Sequence, residues 1–159
     1  DPLQGIIFAG RVVEDFKLTT GTFVHVGSLR TDAIAAATPV VHDALVAGQD
    51  REFIGLLCWP NLHACRQLVG NADASYEDVI RHPAVIACLE KGLQAHNAST
   101  TGSSMRIARA MLMVEPPSID GNELTDKGYI NQRAGLERRA ELVEKLYAEQ
   151  PCGEVIVLC

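Results

Sequence analysis

Apolar positions along the chain collect in three short runs: VVHDALVA at 40–47, EFIGLLCW at 52–59 and RAMLMV at 109–114. Runs of this length, bounded by turn residues, predict strands. Gly48-Gln49-Asp50-Arg51 is a turn, so the first two runs predict an antiparallel pair. Near the start, GIIFA at 5–9 and the alternating TFVHV at 22–26 predict a two-stranded ribbon, with Gly10 and Gly21 bracketing a charged stretch. A ribbon this small needs something to pack on.

Elsewhere the apolar residues take helical spacing. Ser28 predicts a cap for a helix over 29–37, which Pro39 stops. Pro60-Asn61 opens a helix through Val69, and 76–80 makes one or two turns. Pro83 sits at a first helical position, and Val85, Ile86, Leu89 and Leu93 form one stripe of the helix over 84–97. Thr125 or Asp126 predicts the cap of a last helix, from Tyr129 or Ile130 to Ala148, with Ile130, Leu136, Leu142, Val143 and Leu146 inward. The end, 152–159, contains VIVL and reads as a last strand or a tail. The sum is an α+β fold: a two-stranded ribbon, then a three-stranded antiparallel sheet with helices packed on it. The order of elements argues against a doubly wound parallel fold.

Composition narrows the function classes. The 159 residues, 47% hydrophobic and 21% charged, suit one globular domain. A net charge of −6 argues against nonspecific nucleic-acid binding, which needs basic surface to displace counterions. No apolar run reaches the length of a membrane span, roughly 20 residues. The opening Asp1-Pro2-Leu3-Gln4 holds no signal peptide and predicts a chain cut from something longer. Cys58, Cys65, Cys88, Cys152 and Cys159 are odd in number and irregularly spaced, which is cytoplasmic usage. His63 and Cys65 have no second pair to complete a zinc site, so no metal is expected. His25, His42, His63, His82 and His96 fall in no motif, and the chain holds no GxSxG, P-loop or HExxH. It is therefore either a binding domain or half of a site that another domain completes.

Two segments stand out. GRVVEDFKLTTG over 10–21 and ELTDKGYINQR over 123–133 each place a cation beside glycine, which lets backbone and charge approach an anion closely. Taken alone, Lys127 reads as a solvated surface lysine. Together, and with the helix–strand–strand–helix–strand order between them, the two segments resemble the C-terminal domain of the adenylate-forming superfamily, over residues 5–148. Within it, EDFKLTTGTFVHVG and ELTDKGYINQRA are most similar to feruloyl-CoA synthetase and its aryl-CoA ligase relatives.

The resemblance implies a single C-terminal domain: hinge and ribbon at 5–27, sheet and helices at 28–148, and a tail at 149–159. A large N-terminal adenylation domain would complete it. Lys127 matches the catalytic adenylation lysine. Arg11 and Lys17 match nucleotide-binding cations, Glu14 and Asp15 the hinge, and Gly21 a glycine at the CoA tunnel. ATP with its Mg2+, CoA and a small aromatic carboxylic acid would be the substrates, with no nucleic acid or membrane partner. The isolated domain would be inactive. Two departures are plain: the first motif is one residue longer than usual, leaving Val13, Glu14 or Asp15 as the hinge, and Asp126 rather than glycine precedes Lys127. The alternative is a non-catalytic module that binds a protein or a nucleotide. Arg106 and Arg109 read as surface charges.

Overall fold

The computed structural model describes residues 15–100, 102 and 104–158. The GIIFA run, Gly10, Arg11, Val13, Glu14 and Cys159 lie outside them.

The chain runs β1 (Phe16–Lys17), β2 (Phe23–Val24), α1 (Val26–Ala36), β3 (Val41–Ala47), β4 (Ile54–Pro60), α2 (Leu62–Val69), α3 (Tyr76–Arg81), α4 (Pro83–Ser99), β5 (Ile107–Leu112), α5 (Gln132–Arg138), α6 (Ala140–Leu146) and β6 (Val155–Val157). β1 and β2 form an antiparallel ribbon, with Phe16 opposite Val24. Its first strand lies in the charged stretch between Gly10 and Gly21, whereas the run expected to form it, GIIFA, is outside the described residues. The main sheet has the order β3-β4-β5-β6. The α+β class stands, and the sheet differs from expectation in two ways.

First, β5 runs parallel to β4, pairing Leu56 with Ala110 and Cys58 with Leu112. A parallel neighbour needs a long crossover, and α2, α3 and α4 supply it. Second, the VIVL segment is a fourth strand, antiparallel to β5 with Ala110 opposite Ile156.

Alternate residues of each strand feed two cores, which is why the strands read as nearly unbroken apolar runs. On one face Val46, Leu56, Cys58 and Leu112 pack with Leu29 of α1, Cys65 of α2, Val79 of α3 and Leu89 and Leu93 of α4. On the other, Leu45, Leu57, Trp59, Met111 and Met113 pack with Ile130 and Leu146. α1 and α4 touch backbone to backbone at Gly92, where an added Cβ would stand 2.2 Å from the Ala36 carbonyl oxygen.

Caps set the helix ends. Asn61 accepts from the Ala64 N–H at 3.1 Å, and Ser75 and Asp78 form a reciprocal capping box. The last helix is not continuous. It starts at Gln132, capped by Asn131 rather than by Thr125 or Asp126, and breaks at Arg139, whose φ of −109° and ψ of 32° leave the helical region. Among the described residues, no helix is long and apolar enough to cross a membrane.

Candidate functional site

Lys127 sits in a tight hairpin. Leu124 and Ile130 form an antiparallel bridge, and the Thr125 N–H donates to the Tyr129 carbonyl at 2.8 Å. Within this frame the Gly128 N–H donates to the Thr125 carbonyl at 2.9 Å, and Gly128 has a φ of +83°. This is a three-residue hairpin loop, a turn closed by glycine in the left-handed region. The Thr125 hydroxyl adds a bond from the Tyr129 N–H at 3.1 Å. Lys127 is exposed at its tip, and Tyr129 beside it is 70% exposed. Thr125 and Asp126, expected as helix caps, are instead the turn that presents the lysine.

The foot of the hairpin is buried. Glu123 is fully enclosed. Its carboxylate accepts from Arg139 Nε at 2.7 Å and Nη2 at 3.0 Å, and from the Ser118 N–H at 2.8 Å. Arg139 also donates to the Pro116 carbonyl at 3.1 Å and lies 5.1 Å from the centre of the Trp59 ring. Burial pushes the Glu123 carboxyl up. The bonds from Arg139 and Ser118, with the charges of Arg139 and Arg138, outweigh it and hold the group below the ordinary carboxylate range.

Gln132 ties the other end of the hairpin to the sheet. Its Oε1 accepts from the Val46 N–H at 3.1 Å and from Arg30 Nη2 at 2.9 Å, while its Nε2 donates to the Val46 carbonyl. One side chain thus satisfies the free edge of β3, as a neighbouring strand would.

The other predicted residues that are described, Asp15, Lys17 and Gly21, lie on or beside the ribbon. Lys17 and Gly21 are both exposed. The ribbon leans on the β3–β4 turn, where the Thr19 N–H donates to the Arg51 carbonyl at 2.9 Å and the Asp50 N–H to the Lys17 carbonyl at 3.2 Å. Gly21 has a φ of +88° and open space around its α-carbon. Asp15 reaches the start of α1: its carboxylate accepts from the Val26 N–H at 2.9 Å and lies 3.2 Å from His25 Nδ1. It therefore serves the helix end for which Ser28 was expected. Arg109 is not a free surface charge. It donates to the Leu146 and Ala148 carbonyls at 2.9 and 2.7 Å, closing the end of α6.

Ribbon and hairpin are thus anchored at different points, one on the β3–β4 turn and the other on the β3 edge and the Glu123–Arg139 pair. Two clefts, of about 600 and 380 Å3, flank β5 and β6, and neither is lined by Lys17, Gly21 or Lys127. The described cations of the two motifs, Lys17, Lys127 and Arg133, are exposed.

Comparison with known proteins places this geometry. The family described as AMP-binding enzyme C-terminal domain matches residues 25–151. A comparison with curated protein sequences gives no match. Among solved structures, the A domain of carboxylic acid reductase from Segniliparus rugosus, in complex with AMP and a co-purified carboxylic acid, is similar over 87% of this chain, with a TM-score of 0.65 and 23% identity. The A-PCP didomain of carboxylic acid reductase from the same organism, in complex with AMP, is similar over 86%, with a TM-score of 0.63 and 22% identity. The adenylation domain of the carboxylate reductase from Mycobacterium chelonae is similar over 87%, at 0.64 and 22%. These likenesses are of fold. The chain spans 20% of the length of the two adenylation-domain chains and 17% of the didomain chain.

Proposed function

Because the chain belongs to the AMP-binding enzyme C-terminal domain family, we propose that it is the mobile lid of a larger ATP-dependent enzyme that activates a carboxylic acid, and that Lys127 is the cation the lid delivers. The observation that carries this reading is the hairpin: Lys127 is exposed at the tip of a turn fastened at one end to the β3 edge through Gln132 and at the other by the buried Glu123–Arg139 pair.

In adenylation a carboxylate oxygen attacks the α-phosphorus of ATP, a new P–O bond forms, and pyrophosphate leaves with the old one. Nucleophile and phosphate are both anionic, so a fixed cation between them lowers the barrier most where their charges crowd. Lys127 supplies that charge. Arg11 and Lys17 hold the nucleotide, whose Mg2+ enters with it. Rotation near Glu14 and Asp15 then withdraws Lys127 and brings the ribbon forward, where Gly21 leaves room for the attacking thiol. Asp15 suits a pivot because its carboxylate already joins the ribbon to the start of α1.

The likeness of ELTDKGYINQRA to feruloyl-CoA synthetase supports an aromatic acid as substrate and CoA as acceptor. A second reading has its own support: the solved neighbours are carboxylic acid reductases, one an A-PCP didomain, which favours a thiol carried on a neighbouring domain. Acyl transfer to free CoA by the full-length enzyme separates the two.

The test of Lys127 uses the full-length enzyme. Lys127→Ala is expected to abolish acid-dependent ATP–pyrophosphate exchange and to spare thioester formation from a supplied acyl-adenylate. Equal loss of both half-reactions would overturn the assignment.

A further inference from the structure

Glu123 lies four positions before Lys127 and is the only acidic residue among the described ones to be fully buried. Every hydrogen-bonding group it owns is used at the foot of the hairpin. Its N–H donates to the Ser118 carbonyl at 2.9 Å, and its carbonyl accepts from the Asn131 N–H at 2.8 Å. Its carboxylate holds Arg139 at two points and the Ser118 N–H at a third, with Arg138 Nε at 3.5 Å. Arg139 is itself fixed by the Pro116 carbonyl and the Trp59 ring. The incoming strand, the outgoing strand, the break between α5 and α6 and the sheet all meet at one ion pair.

A buried ion pair is a poor device for stability alone, since apolar residues of similar size often serve as well or better. It is a good device for geometry, because a two-point guanidinium–carboxylate contact fixes direction as well as distance. From its foot, the hairpin reaches Lys127 through a bridge and a closed turn with no slack residue.

Resting on the reading of Lys127 given above, we infer that Glu123 is the positioning residue for Lys127: its contact with Arg139 sets where the lysine stands when the lid closes. It touches no reacting atom. It acts by removing the hairpin's freedom to swing, so the charge arrives at one place rather than over a range.

The experiment compares Glu123→Gln with wild type in the full-length enzyme. The expected result is a fall in kcat for ATP–pyrophosphate exchange of about 10- to 100-fold, the effect of displacing a reacting group by about 1 Å. KM for ATP and acid and thioester formation from supplied acyl-adenylate are expected to be essentially retained. Amide exchange at Thr125, Gly128 and Asn131 is expected to speed up. Added to Lys127→Ala, the substitution is expected to cause no further loss. An unchanged exchange rate, or an equal loss of both half-reactions in protein that remains folded, would overturn the inference. The two readings fail differently. If Lys127→Ala costs nothing, the lysine's role falls and the positioning role with it; if Lys127→Ala is inactive and Glu123→Gln is fully active, only the positioning role falls. Should Glu123→Gln not fold, Arg139→Lys takes its place with the same outcomes, since it keeps the charge and loses the two-point contact.

Discussion

Gly21 and Gly128 occupy the same position in two hairpins of one design. Their φ values are +88° and +83°, and each N–H donates back to the carbonyl three residues earlier, Leu18 and Thr125 respectively, at 2.9 Å. Neither would meet an atom within 4 Å if a Cβ were added. Any cost of substitution is therefore conformational, not steric. Gly21→Ala and Gly128→Ala are each expected to destabilise the protein by about 1–2 kcal/mol. Gly27 gives the opposite sign: it lies in α1 with the same open space, so Gly27→Ala should stabilise by about 0.4–1 kcal/mol. Urea midpoints of the three variants check both signs.

The Glu123 carboxyl is held below the ordinary glutamate value of 4.5 in the folded protein. A depressed folded pKa means that the unfolded chain binds the proton first. The stability it contributes is complete above that ordinary value and is lost as pH falls through the folded pKa. Wild-type stability is therefore expected to fall more steeply than that of Glu123→Gln as pH drops below the ordinary value. At neutral pH the variant should be less stable by about 3–5 kcal/mol, since Arg139 keeps its charge and loses its partner. Denaturant titrations across the acid range measure both; parallel curves would remove the linkage.

Much of the fold was legible in the sequence, and its omissions have physical causes. β3, β4 and β5 declared themselves because strands buried on both faces are apolar at nearly every position. The parallel pairing of β4 with β5 was implied by the helices between them, a crossover that an antiparallel neighbour would not need. β6 was ambiguous because three apolar residues look the same in a strand and in a tail. Thr125 and Asp126 drew the helix start too early; Gly128, following Asp126 and Lys127, spelled a turn instead. Glu123 and Arg139 were hidden because charge in a sequence reads as surface. Arg139 sits in the run Glu137-Arg138-Arg139, where no periodicity marks it as the one turned inward.

The cysteines should divide sharply by reactivity. Burial pushes the Cys58 thiol up to about 12. Burial, with the nearby Cys88, pushes Cys65 up to about 11. A thiol of this kind forms almost no thiolate at neutral pH. Cys152 is exposed. Brief treatment with an alkylating reagent at neutral pH is expected to label Cys152 and to leave Cys58 and Cys65 untouched until denaturant is added. Peptide mass mapping reads the result, and early labelling of Cys58 would contradict the packing of β4 against α1–α4.

Gln132 offers the sharpest test of how the hairpin is tied to the sheet. Its amide meets both the N–H and the carbonyl of Val46, and Val46 is fully buried. Gln132→Leu keeps the bulk and removes both partners at a site shielded from water. Each orphaned backbone group costs about 1–3 kcal/mol, so a loss of about 2–6 kcal/mol is expected for the two. Gln132→Glu separates charge from shape. It retains an acceptor for the Val46 N–H and for Arg30 but gives the Val46 carbonyl no donor unless it binds a proton. Its stability relative to wild type should therefore recover as pH falls: at position 132 the glutamate form gains on the glutamine form in acid, whereas at position 123 the glutamate form loses to the glutamine form. Opposite pH slopes of the glutamate-minus-glutamine difference at two positions holding the two ends of one hairpin would be hard to produce by general acid unfolding, which moves every variant the same way.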